Sequence, residues 1–149
     1  MFKAAASSIA LLTLGLAGCS TTDTSNTPKL SAYLKEQTGQ NGRACIQTRD
    51  IRGYGASDSS VNIDAGRKYY IATTLYRCVG LDMAPRALFE DRFSEVCGGG
   101  TANIITREGR CPLQDIFEFE DRQAAFAAMD LAEETRKADI EKAKQAAKN

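Results

Sequence analysis

Residues 104–119, Ile104-Ile105-Thr106-Arg107-Glu108-Gly109-Arg110-Cys111-Pro112-Leu113-Gln114-Asp115-Ile116-Phe117-Glu118-Phe119, read as two strands and the turn between them. Ile104 to Arg107 follows the triple glycine Gly98 to Gly100, Glu108-Gly109 marks the turn, and Leu113 to Phe119 forms the second strand. Its far end alternates Phe117 and Phe119 with Glu118 and Glu120, which puts the rings inward and the carboxylates outward. Working back along the chain, Tyr69, Ile71, Thr73 and Leu75 give period-two alternation into Cys78, and Val61 and Ile63 alternate with polar neighbours before an Ala65-Gly66 turn. Ile46 to Arg52 is expected to be a strand ending at a Gly53-Tyr54-Gly55 turn, and Ala84 to Phe93, with Pro85 near its start, a helical turn. Strands at short, turn-punctuated intervals predict a mainly β (α+β) domain over residues 45–120, built as a small curved antiparallel sheet or barrel. Few residues are available for two sheets, so one strongly curved sheet is expected.

The flanks are of different material. Thr27-Pro28 reads as a helix N-cap followed by proline at the first position, with Leu30, Tyr33 and Leu34 on one face and Gly39 as the stop. Residues 121–149 are rich in Ala, Glu and Lys, lack Gly and Pro, and open at Asp121, a good N-cap. Phe126, Met129, Ala125 and Ala132 are expected to dock the first turns of this long helix on the sheet. Beyond Glu133 only Ile140 and alanines are apolar, and the heptad pattern fails after Met129, which disfavours a coiled coil. The tail is therefore expected either to fray into solvent or to act as an arm for a partner, an envelope protein or peptidoglycan.

Histidine is absent, which closes every mechanism built on an imidazole base and every histidine-bearing metal site. No metal or cofactor is expected. The five cysteines are Cys19, Cys45, Cys78, Cys97 and Cys111. With Cys19 set aside for the reason given below, the remaining even number in a small exported domain predicts two disulfides. A four-cysteine zinc site competes, but zinc ligands usually come in close pairs and no two of these cysteines are close in sequence. Three pairings are possible; Cys78 with Cys97 and Cys45 with Cys111 is expected, since a local loop and a clasp across the domain would both be closed.

The first residues have Lys3, an apolar run from Ala4 to Ala17, and the tetrapeptide Leu16-Ala17-Gly18-Cys19. The run is short of the roughly 20 apolar residues of a membrane span and ends in small residues, as signal peptides do. The tetrapeptide resembles the lipobox of bacterial lipoprotein signal peptides. That resemblance implies cleavage after residue 18, lipid on Cys19 including several acyl chains such as palmitate, and durable anchoring. In the sorting rule of those proteins an aspartate after the cysteine retains the protein at the inner membrane; Ser20 stands there, so attachment to the outer membrane, facing the periplasm, is expected. Residues 19–44 would then be a lipidated tether and a short helix. Removing residues 1–18 takes away one of 19 basic residues and none of 19 acidic ones, leaving a net charge of −1, with no long-range attraction to nucleic acid.

Ala44-Cys45-Ile46 leading to Asp50-Ile51-Arg52, the Tyr69-Tyr70-Ile71 strand, Cys78-Val79-Gly80-Leu81, Val96-Cys97-Gly98 and Arg110-Cys111-Pro112-Leu113 running into Ile116 resemble a proteobacterial envelope family whose four-cysteine domain has no assigned function. The resemblance implies an exported or lipid-anchored, disulfide-bearing β-rich domain and transfers no catalytic residue.

Gly98-Gly99-Gly100-Thr101 lacks the following Lys-Ser/Thr and helix of a phosphate loop, so a β-turn is expected. Glu118, Glu120 and Asp121 could suggest paired carboxylates, but alternation makes them a solvated strand face. Arg49, Asp50, Arg52 and Tyr54 form a candidate binding surface, because exposed Tyr and Arg are favoured at interfaces. The sequence therefore points to a non-enzymatic binding or structural module of the cell envelope. The alternative is a carboxylate-dependent enzyme acting on an envelope polymer through Asp50, Glu118 or Glu120.

Overall fold

A computed structural model describes residues 28–57 and 59–148. Residues 1–27, on which the expected signal peptide, Cys19 and the tether fall, lie outside the described residues.

Helix α1, Leu30–Thr38, buries Tyr33 and Leu34 and stops where Gly39 adopts φ 68°, its N–H donating to the Lys35 carbonyl at 3.0 Å. The proline does not occupy its first position. Lys29 is the N-cap, with an extended ψ of 154°, so Pro28 stays outside the helix, and Thr27 is not among the described residues.

The strands are β1 (Cys45–Gln47), β2 (Gly53–Ser57), β3 (Ser60–Asp64), β4 (Tyr69–Thr74), β5 (Leu88–Glu90), β6 (Glu95–Cys97), β7 (Asn103–Ile105) and β8 (Arg110–Phe119). Six form a curled antiparallel half-barrel in the order β2-β3-β4-β8-β7-β5, while β1 and β6 pair as a separate ribbon. The fold class expected from the sequence is thus the one observed, as is the β7–β8 hairpin, with Thr106 N–H donating to Gly109 across its turn at 2.9 Å.

Three local expectations are corrected. The strand from Ile46 stops at Gln47 and gives way to a single 3-10 turn, Thr48–Asp50. Gly53-Tyr54-Gly55 is strand, because its backbone pairs with β3 from Gly53 opposite Asp64 to Ser57 opposite Ser60. Both glycines are exposed on an edge strand, where a missing side chain loses little packing. In place of a helical turn at Ala84 to Phe93, Leu88–Glu90 pairs with β7, which buries Phe89 beside Ile104.

The centre of the fold is a β-bulge. Tyr69 to Thr73 pair with Phe119 to Asp115 in unbroken register, but the next pair is Thr74 with Leu113, which leaves Gln114 as the extra residue. Strand parity inverts there. Cys111, Leu113 and Ile116 pack in one core with Val61, Ile63, Ala72 and Ile104; Phe117 and Phe119 pack on the opposite face with Ile71, Tyr33, Leu34 and the long helix. Residues 42–44 cross β8 at the same place, Ile116 donating to Gly42 O at 2.8 Å and Ala44 to Ile116 O at 3.1 Å. A Cβ on Gly98 would collide with the Gly42 carbonyl and the Ile116 amide, so the first glycine of the triple run is set by close backbone approach.

Helix α2, Arg122–Ala146, begins as expected: Asp121 accepts from Ala124 N–H at 2.8 Å, and Ala125, Met129 and Ala132 are buried. Phe126 lies 5.9 Å from the Tyr69 ring, with the Arg122 guanidinium over its face. The distal half does not simply fray. Tyr33 Oη donates to Asp139 at 3.0 Å and Gln37 to Thr135 at 3.5 Å, so α1 carries it through polar contacts that a hydrophobic pattern does not register. Burial, and then Asp139, raise the Tyr33 pKa, which keeps the hydroxyl a donor.

The cysteine pairing differs from the one expected. Cys45 bonds Cys97 and Cys78 bonds Cys111. The antiparallel β1–β6 ribbon sets Cys45 directly opposite Cys97. Cys111 faces the core beneath the loop that holds Cys78 and Leu81. No helix among the described residues is long and apolar enough to cross a membrane.

Candidate functional site

A cleft of about 250 Å³ opens where the bulge, the β2–β3 turn, the start of α1 and the middle of α2 meet. Five separate segments build it. The bulge supplies Gln114 and, across the strands, Thr73, Thr74, Leu75 and Tyr76; the turn supplies Ser57, Ser59 and Ser60. The start of α1 brings Lys29, Leu30 and Ser31, and one turn of α2 brings Glu133, Arg136 and Lys137 at i, i+3 and i+4.

Local folding explains each contribution. Thr74 N–H donates to Ser59 O at 2.9 Å, Leu75 N–H to Pro112 O at 3.0 Å and Ser60 Oγ to Ser57 O at 3.1 Å, fixing the wall of hydroxyl residues. Thr74 Oγ1 reaches forward to Tyr76 O at 2.7 Å, which turns the chain out of β4 and leaves Leu75 and Tyr76 about half exposed at the rim. Ala125, Met129 and Ala132 seat α2 on the sheet, so the turn bearing Arg136 and Lys137 comes to lie over α1.

Among the described residues that line the cleft positive charge dominates: Lys29, Arg136 and Lys137 face one carboxylate, Glu133, which lies 3.6 Å from Lys137. Lys29 Nζ is held only at 3.5 Å by Leu75 O and Gln114 Oε1, the outer limit of a hydrogen bond. The opening of α1 adds to this charge, because Lys29 at its N-cap makes no side-chain cap and its first turn has no acidic residue. At the cleft wall Thr73 is 3% exposed and its Oγ1 has no hydrogen-bond partner; Asp115, paired with it across the bulge, leaves Oδ2 without one, while Oδ1 takes Lys35 at 2.8 Å. Buried polar atoms are normally satisfied, and unmet ones collect where function or water claims them.

The residues singled out from sequence lie elsewhere. Arg49 and Asp50 are exposed on the 3-10 turn, 3.9 Å apart, and Arg52 lies across the Gly66 turn. Tyr54 points inward: its hydroxyl donates to Ala84 O at 2.6 Å, its ring meets Phe89 edge-on at 5.9 Å, and burial, then Glu108, raise its pKa. The structure thus brings Arg49 and Asp50 together and directs Tyr54 to the loop preceding β5. Glu118 and Glu120 share Lys68, at 3.3 and 2.7 Å, and Glu118 also accepts from Tyr70 at 3.2 Å. The triple glycine is a turn ahead of β7, and Gly99 N–H donates to Gln114 O. In sequence the cleft leaves one legible trace, the Glu133, Arg136 and Lys137 spacing.

A profile described as a family of unknown function, DUF6491, matches residues 1–147. The chain belongs to this family. Membership covers the four-cysteine region and both helices, well beyond the stretch from Cys45 to Phe119 that carries the resemblance in sequence. Comparison with curated proteins and with solved structures gives no match. For this member of DUF6491, the function has to be argued from its own residues.

Proposed function

We propose that this protein is a non-enzymatic binding module of the cell envelope, tethered to the outer membrane through lipid on Cys19 and engaging its ligand in the cleft at the bulge. The observation that carries the binding role is the cleft itself, where three cations, a helix N-terminus and a row of hydroxyl residues converge on a concavity beside an unsatisfied buried hydroxyl. The tether supports the location: Leu16-Ala17-Gly18-Cys19 has the form of a lipidation signal and Ser20 that of outer-membrane sorting. Two disulfides suit an oxidising compartment.

A photo-crosslinking residue placed at Leu75, on the cleft rim, and separately at Leu88, on β5, tests the binding role in intact cells. A specific adduct from Leu75 alone supports it, and adducts from neither position or only from Leu88 oppose it. Fractionation of the wild type and Cys19→Ala tests the tether, which requires the wild type in the outer membrane and the variant released.

A further inference from the structure

We infer that the cleft at the bulge takes an acidic saccharide, a sugar bearing a phosphate or carboxylate, with the anion toward Arg136 and the start of α1 and the ring toward the Tyr76 rim. This inference rests on the binding role proposed above and names the chemistry of the ligand.

Three features of the cleft converge on that chemistry. Arg136 and Lys137 on α2 and Lys29 at the mouth of α1 set three cations around one concavity, and the α1 N-terminus, with no acidic residue in its first turn, aims partial positive charge at the same space. A guanidinium offers planar paired donors to either a phosphate or a carboxylate. Among the described residues that line the cleft the one acid is Glu133, which sits against Lys137 at 3.6 Å and leaves Arg136 and Lys29 for the ligand's anion.

An anion alone would not need the opposite wall. There Ser57 and Ser59 and the Gln114 amide present hydroxyl and amide groups able both to donate and to accept, which matches a polyol on both counts, whereas an anion uses their donors alone. Tyr76, 53% exposed, and Leu75, 49% exposed, give the rim an apolar surface against which the less polar face of a pyranose can rest. At about 250 Å³ the cleft is just below the usual range of ligand pockets, which suits one sugar unit and its charged substituent, not a long chain.

Isothermal titration of residues 20–149 with four probes tests this: glucose 1-phosphate, glucuronic acid, glucose and inorganic phosphate. Glucose 1-phosphate, glucuronic acid or both are expected to bind in the millimolar range or tighter, more strongly than glucose or inorganic phosphate. Whichever acid sugar binds identifies the anionic group. Arg136→Ala should weaken that binding roughly tenfold or more, the effect of losing one charged anchor, and Tyr76→Ala should weaken the sugar acids without changing phosphate. Equal binding of phosphate and glucose 1-phosphate would overturn the saccharide assignment while leaving a binding cleft. Binding of glucose alone would overturn the role of the cations. No heat with any probe, together with a specific Leu75 adduct in cells, would refute the ligand class and spare the binding role; no heat and no adduct would refute both.

Discussion

Leu113 and Phe117 lie four residues apart on one strand, the same parity, yet they pack in different cores on opposite faces of the sheet. The extra residue at Gln114 makes this so, because strand side chains alternate with period two and one inserted residue inverts every position beyond it. The bulge therefore lets the two halves of β8 serve different cores, and the cleft opens at its side.

Deleting Gln114 should force one half of β8 onto the wrong face. Either Phe117 and Phe119 leave the helix side, or Cys111 and Leu113 leave the other core and Cys111 moves away from Cys78. The expected outcome is loss of cooperative unfolding or free thiols at Cys78 and Cys111, read by denaturation and thiol-labelling mass spectrometry. Gln114→Ala, which keeps the residue count, should fold with both disulfides. A deletion variant as stable as the wild type would mean that the bulge does not set the faces.

Thr73→Val should stabilise the protein. The hydroxyl is buried without a partner, so replacing it by an isosteric methyl removes an unmet polar group, a gain of about 1 kcal/mol. Urea unfolding measures it. A loss of stability would show that the hydroxyl holds a structural water or bond in solution.

Tyr33→Phe should loosen the distal half of α2 and leave its docked half intact. The Tyr33 to Asp139 bond at 3.0 Å is worth about 1 kcal/mol if typical. Hydrogen exchange should accelerate around residues 135–146 and remain slow near Met129. Uniform acceleration along α2 would contradict the account of a helix held in two separate stretches.

Asp91 should contribute stability that is lost in acid. Burial disfavours its charge, but backbone N–H groups of Arg92 and Cys97 and the Thr101 hydroxyl outweigh it and hold the carboxyl below the usual aspartate range. A group whose folded pKa is depressed stabilises above its unfolded pKa, and the contribution fades as pH falls through the folded value. Asp91→Asn should therefore cost stability at neutral pH and little at pH below both values. A cost that does not shrink in acid would assign Asp91 a packing role instead of a charged one.

Much of this fold was legible because it follows period and punctuation. The alternations at Val61 and Ile63 and at Phe117 and Phe119, the Gly39 stop and the Asp121 cap all appear where local chemistry puts them. Gln114 was not legible, since a polar residue beside Asp115 reads as ordinary solvent alternation until the register with Thr73 and Thr74 is known. The strands at Leu88 and Glu95 have three residues each, too short for any period to register, and they owe their form to pairing with distant partners. The disulfides depended on the same pairing: once β1 lies opposite β6, Cys45 can meet only Cys97. The cleft escaped for the same reason, being assembled from five segments of common residue types, Ser, Thr, Lys and Arg among them, whose convergence is a property of the tertiary fold.

The most direct test of the account is to map the cleft in solution by following backbone amide resonances of residues 20–149 during titration with glucose 1-phosphate. The account predicts saturable shifts confined to Leu30, Ser31, Ser59, Leu75, Tyr76, Gln114 and the α2 turn at Arg136, abolished in Arg136→Ala. Saturable shifts centred instead on Arg49 to Tyr54, or no saturable shifts at all, would contradict it.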